Sequence, residues 1–208
     1  MPNWVYNTVE VTGENQRLDK FMVKAGMPYD TKGTEFEDGE FIMKDVVRDS
    51  AMSFWNFIKP EASVLEEYHG QAPRYHSLED SMKHSSDHWY DWNSRNWGTK
   101  WDAVDASVQE SEGALTYEFR TAWGQPEEVF EVMVMEFPEL IFHIRSVEEQ
   151  GWGVEYEGAS GVLTELRKWD SPRTHEESME YMGMCHCQES GNEEYNYSDC
   201  TSQNTEGK

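Results

Sequence analysis

The chain has 208 residues, enough for one domain of about 150–180 residues with appendages. Its 41 Asp and Glu against 17 Lys and Arg give a formal net charge of -24. Binding to a nucleic-acid backbone or an anionic membrane needs a stripe of cations, and here Lys and Arg stand singly among carboxylates, so neither is expected.

No apolar run approaches the roughly 18–20 residues of a spanning helix, and Met1-Pro2-Asn3-Trp4-Val5-Tyr6 has no basic region followed by an apolar stretch. The cytoplasm is the expected compartment. Cys185, Cys187 and Cys200 are the three cysteines and all fall near the C-terminus, which fits a reducing compartment rather than a disulfide framework. Aromatic residues at 13% are too many for a disordered chain and predict a packed core.

In chain order, Val5, Asn7, Val9 and Val11 alternate with Trp4, Tyr6, Thr8 and Glu10, a strand ending at Gly13. Leu18, Phe21, Met22 and Ala25 fall on one helical stripe that Gly26 and Pro28 close. Residues 29–50 are polar, acidic and interrupted by glycine, and read as an irregular insertion. Ser53 to Pro60, with Phe54, Trp55, Phe57 and Ile58, reads as a strand. Leu78 to Trp92 reads as a helix. A hairpin follows, Ala103–Glu110 and Leu115–Phe119 around Gly113. Pro126 opens a helix whose stripe is Val129, Phe130, Met133 and Phe137, and strands are expected around Leu140–Arg145, Trp152–Tyr156 and Val162–Trp169. Beyond Ser171-Pro172 only a short helix over Glu176–Met184 is expected, within an acidic, mostly disordered tail spanning 171–208.

The predicted class is α+β, with helices on one face of a mainly antiparallel sheet. The elements β-α-β-β-α-β within 1–170 make a ferredoxin-like core with insertions.

Several segments carry a resemblance: Met1 to Asn7, the run Asn96-Trp97-Gly98-Thr99-Lys100-Trp101-Asp102-Ala103, and Phe137-Pro138-Glu139-Leu140 followed by Glu148-Glu149. Over about Met1 to Asp170 the chain resembles the YubB-like ferredoxin-like domain family of small proteins of bacteriophages, prophages and plasmids. The resemblance implies the same fold and a mobile-element origin, and it implies no reaction. No cysteine lies in that region, so it does not imply an iron–sulfur cluster.

Arg95, Asn96 and Lys100 stand beside Trp92, Trp97 and Trp101, with Asp102 next in sequence, and this run offers donors for an anion and faces for a stacked base. The competing reading makes the tryptophans core, Gly98 a turn and Lys100 the partner of Asp102 or a neighbour. His84 and His88, spaced i, i+4 near His69, His76 and Asp87, have a metal-site spacing but lack the His-Glu-x-x-His arrangement. Cys185 and Cys187 flank His186 too closely for a usual zinc pair. There is no nucleophile elbow around Ser160, no phosphate loop and no dinucleotide fingerprint, and no cofactor is expected.

The expectation is a non-catalytic accessory protein of a phage or mobile element that binds a host or viral protein with a basic surface, with DNA mimicry in counter-defence as its sharpest form. The alternative is a small-anion or nucleotide-binding domain, conceivably an enzyme, built on the Asn96–Asp102 run.

Overall fold

The computed structural model of the chain describes residues 3–37, 40–70, 86–172 and 174–183. Its strands and helices in order are β1 (Trp4–Thr12), α1 (Asn15–Ala25), β2 (Tyr29–Glu37), β3 (Glu40–Arg48), α2 (Leu65–Tyr68), α3 (Trp89–Asn96), β4 (Val104–Ser111), β5 (Ala114–Ala122), α4 (Glu127–Glu136), β6 (Ile141–Glu148), β7 (Gly153–Ala159), β8 (Val162–Trp169) and α5 (His175–Met182). A single 3-10 turn covers Phe54–Asn56.

Six strands form one antiparallel sheet in the order β4-β5-β1-β6-β7-β8, and β2 and β3 pair by themselves. The first strand therefore lies inside the sheet, between partners from the second half of the chain: Val9 faces Tyr117 of β5 on one side and Ile144 of β6 on the other. The strict alternation in β1 has a simple cause. Val5, Asn7, Val9 and Val11 point into the core, while Tyr6, Thr8 and Glu10 point outward.

Helices α1 and α4 cover the buried face. Phe21 of α1 meets Tyr117 of β5 and Phe142 of β6 edge-on, with ring centroids 5.7 and 5.5 Å away. Val129, Phe130, Met133 and Val134 of α4 join the same core. Gly158 of β7 lets α4 approach, because a Cβ there would stand 2.3 Å from a methyl of Val134. The opposite face is polar over β1 and β5, and α5 lies against its β6–β8 end. There Arg145 donates to the Tyr181 carbonyl, Arg167 pairs with Glu180 at 2.8 Å, and Trp169 packs on Tyr181. The helices thus occupy both faces, α1 and α4 on one and α5 on the other.

The expected packing of helices on one face alone is thereby corrected, and two further expectations change. Within residues 29–50, Tyr29–Glu37 and Glu40–Arg48 pair as two nine-residue antiparallel strands, not an irregular insertion. The stretch Tyr29-Asp30-Thr31-Lys32-Gly33 carries no hydrophobic alternation, so the period that marks the other strands is missing from its sequence. The stretch from Ser53 to Pro60 is no strand. Phe54 is fully buried within a 3-10 turn, and Trp55, Phe57 and Ile58 pack against the core from the same tight loop. Bulky β-forming residues are here spent on filling a core rather than on a ladder. The predicted helix over Leu78–Trp92 lies partly outside the described residues, and what is described of it is α3, which begins at Trp89. The predicted disorder of the tail also falls outside them. No described helix is long and apolar enough to cross a membrane.

Candidate functional site

The run Asn96–Asp102 is a clasp in which every residue has a packing or hydrogen-bonding task. At the end of α3 the Asn96 side chain donates to the Trp92 carbonyl at 2.8 Å, closing the last turn. Trp92 and Trp97 are buried edge-to-face, and the Trp97 indole donates to the Ile58 carbonyl at 2.8 Å. Gly98 turns the chain at φ +74°, a conformation that costs a side chain energy. The Thr99 hydroxyl both donates to the Ala122 carbonyl and accepts from its N–H, fastening the clasp to the end of β5. Buried Asn93 links the same run to α2: it accepts from the Tyr68 hydroxyl and donates to the Lys100 carbonyl, both at 2.9 Å.

Lys100 does not pair with Asp102. Its ammonium stands over the rings of Tyr90, Trp101 and Trp123, 5.4, 4.6 and 4.9 Å from their centroids. Trp101 in turn contacts Trp4, and Trp4 lies under the guanidinium of Arg120. Arg95 is held in an ion pair with Asp87 at 2.7 Å. The two cations are thus engaged separately, and the paired grip on an anion that the sequence suggested is not assembled.

Asp102 is the centre of a different arrangement. Its carboxylate accepts from the Tyr29 hydroxyl at 2.9 Å, the Ser53 hydroxyl, the Phe54 N–H at 2.6 Å and the Ala103 N–H at 2.7 Å. One side chain therefore ties the start of β2, the 3-10 turn and the entry to β4. Burial pushes its carboxyl above the ordinary range, against the pull of these four donors. Burial, reinforced by the Asp102 charge, likewise raises the Tyr29 phenol, so the neutral, donating hydroxyl is kept.

Above this knot lies a cleft of about 870 Å3, within the range of ligand sites. The β2–β3 hairpin forms one wall through Tyr29, Thr31, Lys32, Gly33 and Arg48. Trp101, Asp102 and Ala103, with Val104, Asp105 and Ala106 at the start of β4, line it as well. Tyr68, His69 and Gly70 close one end, and Trp89 and Trp97 of α3 and its C-terminal flank contribute aromatic surface. Tyr29 stacks on Trp55 with centroids 5.1 Å apart, and Lys32 pairs with Asp45 across the hairpin. Burial lowers the His69 imidazole, which favours its neutral form.

Of the residues singled out in the sequence, Trp97, Trp101 and Asp102 reach this cleft, while Trp92, Arg95, Asn96 and Lys100 do not line it. Sequence reasoning missed the hairpin wall and Asp49, Met52 and Ser53, which adjacency along the chain does not signal. His84, Cys185 and Cys187 lie outside the described residues. His88 is buried at the N-cap of α3, and among the described residues no group of three or more His, Cys, Asp or Glu is placed to hold a metal ion.

No family model matches the chain, and no curated protein matches it. A solved structure, that of a protein api92 from Yersinia pseudotuberculosis (family-model DUF1281), is similar over 83% of this chain and 99% of that one, with a TM-score of 0.56 at 8% sequence identity. At that identity the likeness speaks for the fold alone: a mixed α+β architecture on a large antiparallel sheet.

Proposed function

We propose that this is a non-catalytic accessory protein of a bacteriophage or other mobile element, acting in the bacterial cytoplasm by binding a basic host or viral protein through its acidic surface. The carrying observation is where the charge stands. Arg17, Lys24, Lys32, Arg95, Arg120, Arg145 and Arg167 are each taken up by a carboxylate, and the remaining carboxylates form a large surplus. Glu10 and Glu118 are exposed on the open sheet face, Glu128 and Glu131 on the outer side of α4, and Glu110 and Glu112 at the β4–β5 turn. Such a field draws in a cationic partner and repels polyanions.

The distribution speaks against DNA mimicry. A mimic needs two carboxylate rows on one face, whereas these stand on opposite sides of the sheet. The mobile-element origin rests on the resemblance of the Asn96–Ala103 run to YubB-like proteins. A ferredoxin-like core is supported by the order β6-β1-β5-β4, fully antiparallel, in which α1 and α4 each connect strands that have one other strand between them.

The test is capture of partners by tagged protein from host and infected-cell lysates at about 0.1 M and about 1 M salt, between which the screening length drops from roughly 10 Å to 3 Å. A stoichiometric basic partner present at the lower salt and lost at the higher is expected, equally for the Arg95→Ala, Lys100→Ala double variant. An acidic partner, or no partner, overturns the reading.

A further inference from the structure

The charges that line the cleft are cancelled where they stand. Lys32 pairs with Asp45, Asp105 pairs with Arg120, and Asp102 is saturated by its four donors. Arg48 and Asp49 are exposed neighbours in the chain whose charges offset each other, and burial favours the neutral form of His69. In a chain of net charge -24 this is a locally balanced place, and an ionic ligand would find no lone counter-charge in it.

What the lining leaves unspent is neutral. Trp97 donates its indole N–H to the Ile58 carbonyl, whereas the indoles of Trp89 and Trp101, both half-buried, meet no acceptor among the described residues. The hydroxyls of Thr31 and Ser50 likewise make no hydrogen bond among the described residues, and each brings one donor and two acceptor positions. The side-chain amide of the lining, Asn93, is committed at both ends, to the Tyr68 hydroxyl and the Lys100 carbonyl. No amide is therefore left there to read the edge of a nucleobase in the usual two-point manner. Aromatic faces with a few hydroxyl and indole groups suit a ligand that has apolar ring faces and a rim of hydroxyls.

We infer that the cleft is a binding site for a neutral saccharide of about two rings. Its C–H faces would lie against the aromatic rings of the cleft, and its hydroxyls would meet the indole N–H groups of Trp89 and Trp101 and the hydroxyls of Thr31 and Ser50. This site is separate from the acidic surface, because its ligand carries no charge for that surface to attract.

The probes for the whole chain are maltose, cellobiose and chitobiose, with adenosine monophosphate and spermidine as anionic and cationic comparisons. Binding is read from tryptophan emission, since Trp89, Trp97 and Trp101 line the cleft, and from hydrogen exchange. At least one disaccharide should saturate with a dissociation constant at or below about 1 mM and should slow exchange around residues 31–33 and 104–106. Its affinity should be the same at about 0.1 M and about 1 M salt, because no charge is screened. Trp89→Phe keeps a ring and removes the N–H, and Thr31→Val keeps the shape and removes the hydroxyl. Each should weaken the sugar by roughly three- to tenfold while leaving the thermal midpoint in place.

No saturation by any of the three sugars, exchange around residues 31–33 and 104–106 left unchanged, undiminished binding by both variants, or tighter binding of either charged probe overturns the saccharide site. So does an affinity that falls away at high salt. The acidic-surface reading has its own, salt-sensitive readout, so the two stand or fall separately.

Discussion

Asp102 organises the ground on which the site is built, and the cost of losing it follows from what it satisfies. Removing the carboxylate strands the hydroxyls of Tyr29 and Ser53 and the N–H groups of Phe54 and Ala103 in a water-poor place. Asp102→Ala should lower the unfolding free energy by roughly 3 kcal/mol, against about 1 kcal/mol for Tyr29→Phe, which gives up a single bond. Urea unfolding of both variants measures the two losses, and equal costs would mean that Asp102 is not the common anchor. Acid should act through the imidazoles. His69 faces Lys32, Asp45 and the rings of Trp55 and Tyr68, and His88 faces Asp91, Glu67 and the Gly70 backbone. Burial holds both below the usual 6.5, so the unfolded chain takes up protons first. Their stabilising contribution is complete above about 6.5 and is lost as the pH falls through the window beneath it. Asp102, with its raised pKa, works in the opposite sense, gaining on acidification. Comparing urea midpoints at about pH 7.5 and 5.5, the drop should be smaller in His69→Gln than in the parent; an unchanged drop would clear His69 of the effect.

Among the elements, the turn at Gly98 is the most constrained. A Cβ there would stand 2.5 Å from the Glu128 carboxylate and 3.0 Å from the Gln125 carbonyl, and φ is already left-handed. The carboxylate can swing aside, but the backbone carbonyl cannot do so freely, so Gly98→Ala should cost on the order of 1–3 kcal/mol in thermal or chemical unfolding. Helix α5 is opened by a capping box in which the Thr174 hydroxyl accepts from the Glu177 N–H and the Glu177 carboxylate accepts from the Thr174 N–H. Thr174→Ala should destabilise that helix by about 1 kcal/mol and speed exchange of its amides selectively, without touching those of β1. Strands β1 and β4–β8 were legible in the sequence because most bury one face, which writes a period of two into Val5–Val11 or Leu115–Phe119. The hairpin at 29–48 was not, since Tyr29-Asp30-Thr31-Lys32-Gly33 carries no such alternation. Phe54 to Ile58 misled for the converse reason: their apolar character is real, but it serves a turn that plugs the core. The candidate site was half legible. Trp97, Trp101 and Asp102 came from one conspicuous run, whereas the opposing wall comes from segments far away in sequence, which no local pattern reports.

At the scale of the molecule, the two striped helices and the alternating strands made the α+β class readable. The cleft was not readable, because only the packed chain brings Val104, Asp105 and Ala106 into one space with Thr31, Lys32 and Gly33. The strand order has a further consequence for how the protein comes into being. Buried Asn7 in β1 is joined to Ser146 in β6 by a hydrogen bond across 139 positions, so the first strand leaves the ribosome long before its neighbours exist. At about 5–20 residues per second, its valine row waits roughly 7–28 s for β6. For most of that interval the apolar strand has no native partner, and a strand left unpaired in this way is open to association with other chains.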